Sequence, residues 1–441
     1  MKKKTFEGGI HPIEGEHFTE NKRPEQLPLP QTVYIPLQQH IGAPTTPLVE
    51  KGQKVKTGEK IGEASGFVSA PIHASISGTV KSIEEFNHPI SGKGKSIIIE
   101  GNGEDSRAEN IKFEENYMSL SIDEMRERLK EAGLAGLGGA TFPTHVKLSP
   151  PPEKKIDTAI LNGAECEPYL TADHRLMLEN PTEVVNGFRI MIKILGVKRG
   201  IIGIEDNKPD SINTMLEAIK NKDNMEVAVF PVKYPQGAEK QLIKSALDRD
   251  VPAGGLPMDV GVVVQNVGTA KAIFDAVAYN KPLINRIVTV TGPGIKEPKN
   301  LLVPIGTLFQ EVVDFCGGLT ENAAKIIMGG PMMGLAQPNL QIPVVKGTSG
   351  ILVLEEKQAH LRVEDPCIGC GRCVEICPMN LLPTTLQSLV NHDHIQEADS
   401  LNIMDCMECG SCSYICPSNR LLVQAIRLGK RKVLGARRKA S

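Results

Sequence analysis

The chain has 441 residues, of which 40% are hydrophobic and 23% are charged, a composition that allows about three globular domains of ~100–200 residues each. The net charge of −2 gives no basis for a nucleic-acid partner. No stretch approaches the ~18–20 apolar residues of a membrane span, and no apolar run follows the basic start, so we expect neither a transmembrane segment nor a signal peptide.

The first segment, which we place at 1–112, contains short β-branched runs separated by glycine turns, as in residues 49–61. This pattern predicts a small β-barrel or sandwich. Its spacing resembles the hammerhead fold of lipoyl and biotinyl carriers. A carrier needs a lysine at the hairpin tip, and no lysine lies between Ile61 and Val80. We therefore expect a barrel-sandwich domain used for structure or docking rather than as a swinging arm.

The second segment, 113–282, alternates helical and strand patterns. Helices are predicted at 121–132, 181–195, 210–220 and 238–247, and strands at 157–162, 199–205, 226–232 and 260–267. Strands that alternate with helices indicate βαβ units around a mainly parallel sheet. This segment is therefore predicted to be a Rossmann-like α/β domain.

The third segment, 283–356, returns to strands and Gly/Pro turns, with a predicted strand at 287–291 and turns at 292–294 and 329–331. It is predicted to be a compact unit of strands and helix. The cysteine-rich remainder, 357–441, is the fourth segment. The sequence as a whole therefore predicts a multidomain α/β protein.

Eight of the ten cysteines lie in two runs with the spacing C-x2-C-x2-C-x3-C-P. The first run contains Cys367, Cys370, Cys373 and Cys377, and the second contains Cys406, Cys409, Cys412 and Cys416. In such runs three cysteines bind one 4Fe–4S cluster, and the fourth binds the other. The sequence predicts that Cys416 completes the cluster of the first run and Cys377 that of the second.

Zinc is the alternative metal, because it also takes four cysteines. Zinc sites favour two separated C-x2-C pairs, whereas each run here offers three ligands and a crossed fourth. We therefore predict two 4Fe–4S clusters, an electron-transfer function and a reducing compartment. Cys166 and Cys316 stand apart from the runs and are expected to be small buried hydrophobic residues.

A glycine-rich loop at 136–144 could bring backbone N–H groups close to a phosphate, with Lys147 adding a positive charge. The loop lacks the last glycine of G-x-G-x-x-G, because Thr141 stands there, and it follows a predicted helix rather than a strand. From spacing alone, a phosphate site and a plain turn both remain open.

Residues 138–144 with Lys147 nevertheless resemble the FMN loop of the flavoprotein subunit of respiratory complex I. Residues 162–168, 234–239 and 265–269 resemble three further motifs of that subunit. Over nearly the whole chain, the order of domains is similar to that of the C subunits of the Rnf complexes. The resemblance implies a hammerhead-like domain, a flavin domain, a β-grasp (SLBB-like) unit and an α-helical ferredoxin domain with two clusters.

The same resemblance implies bound FMN and NAD(H), and it assigns no catalytic side chain. Around the flavin phosphate and ribityl chain it places Gly136, Gly138 and Lys147; in the rest of the FMN pocket Asn162, Glu165, Tyr234, Gly237, Asn266 and Thr269; and near NADH Phe142, Glu167 and Glu239. Three positions depart from the complex I pattern. Thr141 replaces a glycine, Leu148 a tryptophan and Ala238 an acidic residue.

The implied function is exchange of hydride between NAD(H) and FMN, with single electrons relayed through the two clusters. The protein would be an enzyme subunit, peripheral at the cytoplasmic face of the membrane, in a ferredoxin:NAD oxidoreductase complex coupled to ion translocation. Its implied partners are NADH and the other subunits, including an iron–sulfur subunit. Two alternatives remain open: a soluble cobalamin reductase of similar architecture, and a ferredoxin-like adaptor that binds no nucleotide.

The C-terminal segment 427–441 contains seven Lys/Arg residues and no Asp/Glu. Such a tail is either a solvated, frayed end or a site that docks onto an anionic membrane surface or an acidic partner.

Overall fold

In the computed structural model, which describes residues 5–220, 224–359 and 363–440, the N-terminal region forms two small antiparallel sheets. Strand β1 (Glu25–Gln26) precedes these sheets, whose strands are β2 (Thr32–Pro36), β3 (Thr46–Pro47), β4 (Lys54–Val55), β5 (Lys60–Glu63), β6 (Ile72–His73), β7 (Gly78–His88) and β8 (Gly92–Gly101). One sheet has the order β2-β8-β7-β4 and the other β3-β5-β6. Isoleucines and valines from both, including Ile35, Ile61 and Ile97, fill one core, which is the predicted barrel-sandwich.

The middle region is built around a parallel sheet with the order β11-β10-β9-β12. Its strands are β9 (Thr158–Asn162), β10 (Arg199–Glu205), β11 (Met225–Phe230) and β12 (Val262–Asn266). Its helices are α1 (Ile122–Glu131), α2 (Thr144–Lys147), α3 (Ala172–Glu179), α4 (Pro181–Leu195), α5 (Pro209–Ala218), α6 (Glu239–Leu247) and α7 (Val267–Tyr279). The predicted alternation of strands and helices is confirmed.

Local signals explain why several of these elements agree with the sequence. Ser121 and Glu124 form a capping box at the start of α1. Helix α4 begins at Pro181, and it ends at Gly196, whose φ of 66° is readily adopted by glycine. Helix α7 was not predicted, because its residues are buried on several sides and an apolar stripe at helical spacing is lost.

The third region is a mixed sheet with the order β1-β14-β13-β17-β15-β16. It consists of β13 (Asn285–Thr291), β14 (Lys299–Pro304), α8 (Phe309–Phe315), β15 (Ala323–Met328), β16 (Leu335–Gln337) and β17 (Gly350–Glu355). Strand β1 comes from the N-terminal segment and pairs in parallel with β14. Strand β1 therefore belongs, in space, to the third region and not to the barrel.

The C-terminal region is helical. Its helices are α9 (Glu356–Ala359), α10 (Arg372–Glu375), α11 (Pro383–Asn391), α12 (Ile395–Ser400), α13 (Ser411–Ile415) and α14 (Leu422–Ala440). Short 3-10 turns occur at Glu16–Phe18, Tyr117–Ser119, Pro257–Val260 and Ile403–Asp405. Helix α14 packs on α11 and buries Ile426 and Val433. The described part of the basic C-terminal segment, up to residue 440, is therefore helical, and it packs on the rest of the region through Val433.

The extreme N-terminal segment crosses two regions. Gly9 donates its N–H to the carbonyl of Ile376 in the helical region at 2.8 Å, and Ile10 exchanges two backbone hydrogen bonds with Tyr234 at 2.9 Å each. It thus lies where the α/β region meets the helical region. Within the ranges described above, no helix is both long enough and apolar enough to cross a membrane.

Candidate functional site

The carboxyl ends of two neighbouring strands carry the predicted asparagines. Asn162 ends β9 and Asn266 ends β12, and the two lie opposite each other in the parallel register. The Asn162 Nδ2 donates to the carbonyl of Gly237 at 2.8 Å, and the Asn266 Oδ1 accepts from the N–H of Gly268 at 2.8 Å. Ligands of open α/β sheets bind at this edge. The structure therefore brings Asn162, Gly237 and Asn266 together at the edge where a ligand is expected.

The glycine loop lies against the same edge. The Gly136 N–H donates to the carbonyl of Phe142 at 2.9 Å, and the Leu137 N–H donates to the Thr269 hydroxyl at 2.9 Å. A Cβ added to Gly138 would lie 3.3 Å from the Cβ of Asn266. Glycine thus leaves this edge of the sheet uncrowded, as a loop that receives a phosphate requires.

Thr141 has a φ of 48°, in the left-handed region that favours glycine. This is the position where the complex I loop has glycine. Thr141 therefore adopts a backbone conformation that glycine would adopt more readily. The Thr141 carbonyl accepts the N–H of Ile41 at 3.2 Å, so a contact from the barrel domain supports the turn.

Lys147 and Glu239 form an ion pair next to the loop. The Lys147 Nζ lies 2.5 Å from the Glu239 Oε1, and the two side chains are 27% and 36% exposed. Exposed ion pairs contribute little to stability because water screens them. Lys147 can therefore exchange Glu239 for a ligand phosphate at little cost.

The carboxylates of Glu165 and Glu167 are engaged by backbone N–H groups. Glu165 accepts from Asp173 at 2.8 Å and from His174 at 2.7 Å, at the start of α3. Glu167 accepts from Met332 and Met333 of the third region at 2.7 and 2.8 Å. Burial raises the pKa of both carboxyl groups, and the charge of Asp173 raises that of Glu165 further. Neither is a solvated loop carboxylate.

Tyr234 joins this site to the helical region. Its side chain is 2% exposed, and its hydroxyl donates to the carbonyl of Cys409 at 2.8 Å. Burial, with the charge of Glu167 adding to it, raises the pKa of the Tyr234 hydroxyl, so the group stays protonated and can donate this bond. Ile10 and Cys166 pack in the same small cluster.

Cys377, Cys406, Cys409 and Cys412, here called the inner set, line one cavity together with apolar residues. They come from both runs, in the crossed combination that the spacing predicts. Burial raises the pKa of Cys406 to about 11 and that of Cys412 to about 12. Such thiols bind metal only with loss of their protons. Among the described residues, no group of His, Cys, Asp or Glu is placed to hold a single metal ion.

Cys367, Cys370, Cys373 and Cys416, the outer set, are less gathered. Cys373 and Cys416 pack in one small cluster, while Cys367 and Cys370 lie on an exposed loop ahead of α10. Gly369 and Gly371 in this loop have φ values of 67° and 75°. A loop of this kind can fold around a cluster without side chains that would crowd its sulfides.

A buried group of charges beside the site could not be inferred from sequence spacing. Lys208 is fully buried, and its Nζ lies 3.4 Å from the Glu16 Oε1. Burial lowers the pKa of Lys208, but the carboxylates of Glu16, Glu205 and Glu165 more than offset this and raise it. Burial raises the pKa of Glu205 to about 8. A lone lysine ahead of α5 carries no motif, so nothing marked this residue.

A cavity of about 390 Å³ lies on the other side of the glycine loop, between α3, α7 and β13. Leu137 from the loop and Arg286 from β13 contribute to its wall, and none of the twelve predicted cofactor residues does.

Cys316 is fully buried in the core of the third region, as predicted for a small hydrophobic residue.

The donor groups fit the cofactors that the sequence predicts. The inner set offers four thiols around one cavity, and the glycine loop leaves an edge that a Cβ would crowd. Four family models match the chain in the predicted order. They are the RnfC barrel sandwich hybrid domain at residues 4–104, the Nuo51 FMN-binding domain at 129–275, the SLBB domain at 287–336 and the 4Fe-4S dicluster domain at 366–420. The fold class, FMN and the two 4Fe–4S clusters are thereby confirmed.

The C subunit of a proton-translocating ferredoxin:NAD(+) oxidoreductase complex from Clostridium ljungdahlii is 54% identical over 440 residues, which cover 99% of this chain and 96% of that one. Its Na(+)-translocating counterpart from Acetobacterium woodii is 47% identical, with 100% of both chains covered. The structure also resembles an NAD+-reducing NiFe hydrogenase in the H2-reduced state, with a TM-score of 0.50 and 18% identity, covering 72% of this chain and 63% of that one. The last likeness concerns the fold alone.

Sequence identity of 47–54% over nearly the full length of both relatives is enough to assign the family. The role of each site residue stays a prediction. The chain belongs to the RnfC family, the C subunits of the Rnf ion-translocating ferredoxin:NAD oxidoreductase complexes.

Proposed function

We propose that this protein passes electrons between NAD(H) and another iron–sulfur subunit of its complex, first through the inner cysteine set and then through the outer set. The glycine loop, Lys147 and the two strand-end asparagines would hold FMN, with Phe142 and Glu239 near the nicotinamide nucleotide. As a member of its family, the chain is an electron-transfer subunit of an ion-translocating ferredoxin:NAD oxidoreductase complex.

One observation carries the proposed order of the two sets. The buried Tyr234, from the predicted flavin pocket, donates to the backbone of Cys409, a member of the inner set, at 2.8 Å. Cys367 and Cys370 of the outer set are exposed. Because electron tunnelling slows steeply with distance, the set nearest the flavin is the natural first acceptor and the exposed set the natural contact with a partner.

The residues of the chain orient the cofactors and exclude water. The Gly136 and Leu137 N–H groups are used within the protein, so the N–H groups further along the loop, together with Lys147, would bind phosphate. Asn162 and Asn266 fix the sheet edge beside it. Tyr234 and Ile10 close the junction with the helical region against water. The flavin supplies the chemistry that converts a two-electron hydride donor into single electrons.

We further propose a peripheral position at the cytoplasmic face of the membrane. Helix α14 offers less free charge for docking than its sequence suggests. Four of its cations pair with carboxylates of the helical region at 2.7–2.9 Å; the pairs are Arg427–Glu408, Lys430–Glu408, Lys432–Asp393 and Arg437–Asp399. The exposed loop of the outer set is therefore the better candidate for the contact with a partner protein of the complex.

An anaerobic titration of the reconstituted protein with NADH, followed by optical and EPR spectra, tests the function. We expect bleaching of the flavin together with signals of reduced clusters. Clusters that dithionite reduces but NADH does not, with no flavin released on denaturation, would leave only the nucleotide-free adaptor. Family membership favours a role in an Rnf complex over the soluble cobalamin reductase, so that a purified preparation is expected to associate with the other Rnf subunits.

A further inference from the structure

The glycine loop is held by two buried cations that come from outside the α/β region. Arg286 lies on β13 and is 6% exposed, and Lys346 lies in the turn before β17 and is 1% exposed. The Arg286 guanidinium donates to the carbonyl of Leu137, in the middle of the loop, at 3.4 Å, and also to the carbonyl of Lys346. From the third region, Arg286 thus reaches the loop itself and Lys346 the chain just before it.

The Lys346 side chain, from the third region, bonds to both the α/β region and the barrel through its Nζ atom. Its Nζ donates to the carbonyl of Gly133, three residues before the loop, at 2.6 Å. The same Nζ donates to the carbonyl of Pro71 in the barrel at 2.9 Å. Its backbone N–H donates to the Gln39 Oε1, also in the barrel, at 3.1 Å. The chain just before the loop is therefore fixed relative to the barrel and the third region.

In the described part of the chain, neither cation forms an ion pair with a carboxylate; the nearest influence is the charge of Asp173, which acts on Arg286 without contact. A buried cation that bonds only carbonyl oxygens is costly, and an apolar side chain of similar volume would stabilise the fold at least as well. Burial accordingly lowers the pKa of Lys346 to about 7 and that of Arg286 to about 10. Packing alone therefore does not explain why cations stand at these two positions.

The 390 Å³ cavity beside Arg286 does not explain them either. The other cations on its wall are already paired with carboxylates on the same wall; these pairs are Lys271–Asp275, Lys281–Asp275 and Arg23–Glu179. A negatively charged ligand in the cavity would therefore have to bind Arg286. The Arg286 guanidinium, however, already donates to the carbonyls of Leu137 and Lys346.

We propose that Arg286 and Lys346 are positioning residues for the flavin loop: they fix the carbonyls of Leu137 and Gly133 so that the loop is preorganised to receive the flavin. The inference deepens the proposed function and rests on it, because it requires FMN at this loop. Its consequence is that the affinity for FMN depends on the third region and the barrel, neither of which supplies a predicted FMN contact.

The test compares FMN binding by full-length protein with its clusters in place and its flavin removed, using the quenching of FMN fluorescence. We expect R286M and K346M to weaken binding by about tenfold or more, since a hydrogen bond to a charged group contributes ~1.5–3 kcal/mol. R286K should recover part of the loss, because a lysine keeps the charge and one donor. K193M is the matched control.

Lys193 suits this purpose because its Nζ also donates to two carbonyls, those of Met118 and Leu120, at 2.6 and 2.9 Å. These carbonyls lie ahead of α1 and not in the glycine loop. K193M should therefore bind FMN within about twofold of the wild type. An equal loss in K193M would indicate general loosening and would overturn the positioning role.

The outcomes separate the two proposals. A wild-type protein that does not bind FMN refutes the proposed function itself. Wild-type binding together with unchanged binding in folded R286M and K346M overturns only the positioning role. If those variants do not fold, hydrogen exchange of the wild type decides: FMN should slow exchange at the N–H groups of Lys346 and Thr348, and unchanged exchange there refutes the inference.

Discussion

The two cysteine runs have identical spacing in sequence, but the two sets that they form by exchanging their fourth cysteines lie in different surroundings. The inner set lines one apolar cavity, and one member, Cys409, accepts a hydrogen bond from the buried Tyr234. The outer set includes Cys367 and Cys370 on an exposed loop. Spacing therefore identifies ligands, whereas the surroundings decide which set lies towards the flavin and which towards a partner.

The largest expected effect comes from removing one ligand from each set. In Cys409→Ala we expect NADH still to bleach the flavin, but reduction of the outer cluster by NADH should slow by far more than about tenfold, which would raise the barrier by more than ~1.4 kcal/mol. Rapid-freeze EPR measures this rate.

Cys370→Ala is the matched variant, because it removes the second ligand of the other run. Here the inner cluster should still be reduced at the wild-type rate. If Cys370→Ala blocks the inner cluster while Cys409→Ala spares the outer one, the proposed order is reversed.

The next effect concerns the flavin end of the path. Lys147→Ala should lower the affinity for FMN by about tenfold to a hundredfold, because a charge-assisted hydrogen bond contributes ~1.5–3 kcal/mol. Both clusters should then become equally slow to accept electrons from NADH. Flavin content per chain is the measurement.

Lys154→Ala provides the control for this change. Lys154 forms a comparable pair with Asp259 at 2.7 Å in the same region, away from the loop. Flavin content should stay at the wild-type level in that variant. Unchanged content in Lys147→Ala would contradict the phosphate role.

A third test uses pH, because the buried carboxyl groups lie on the flavin side. The pKa of Glu205, which faces Lys208, Glu16 and Asp206, is raised by burial from its usual 4.5 to about 8. Between these two pH values, the folded state therefore binds more protons than the unfolded state. The contribution of protonated Glu205 to the free energy of unfolding is complete below pH 4.5 and is lost as the pH rises through 8. The wild type should lose thermal stability relative to Glu205→Gln between about pH 5 and 8.

This prediction is checked by melting curves of both proteins across that range, monitored by circular dichroism. A constant difference in melting temperature at every pH would show that Glu205 does not take up a proton on folding.

The smallest expected effect belongs to Tyr234→Phe. In the wild type, the hydrogen bond from Tyr234 to the Cys409 carbonyl favours the reduced, more negative cluster. Without this bond, the midpoint potential of the inner cluster should fall by about 20–60 mV, equivalent to ~0.5–1.5 kcal/mol. A redox titration followed by EPR measures it. A shift confined to the outer cluster would break the comparison between the two sets.

Much of the fold could be predicted, because local signals and tertiary structure agree. Proline at the start of α4 and glycine after its end define that helix without any tertiary information. The two cysteine runs and the glycine loop could also be located. Helix α7 could not, because a helix buried on several sides loses the apolar stripe that reveals a helix.

The missing parts of the site depend on long-range contacts. Lys208, Arg286 and Lys346 have no local motif, and each is significant only because distant segments bury it. The pairing of β1 with β14 likewise joins a strand that precedes the barrel to a strand of the third region, far along the chain. Spacing within a run carries no information on such partners.

The N-terminal segment also constrains the time at which the molecule can be completed. Gly9 is synthesised about 370 residues before Ile376, to whose carbonyl it donates a hydrogen bond. At a synthesis rate of roughly 5–20 residues per second, the segment waits some tens of seconds for its binding site. The junction between the α/β region and the helical region therefore closes only after the first cysteine run has been synthesised.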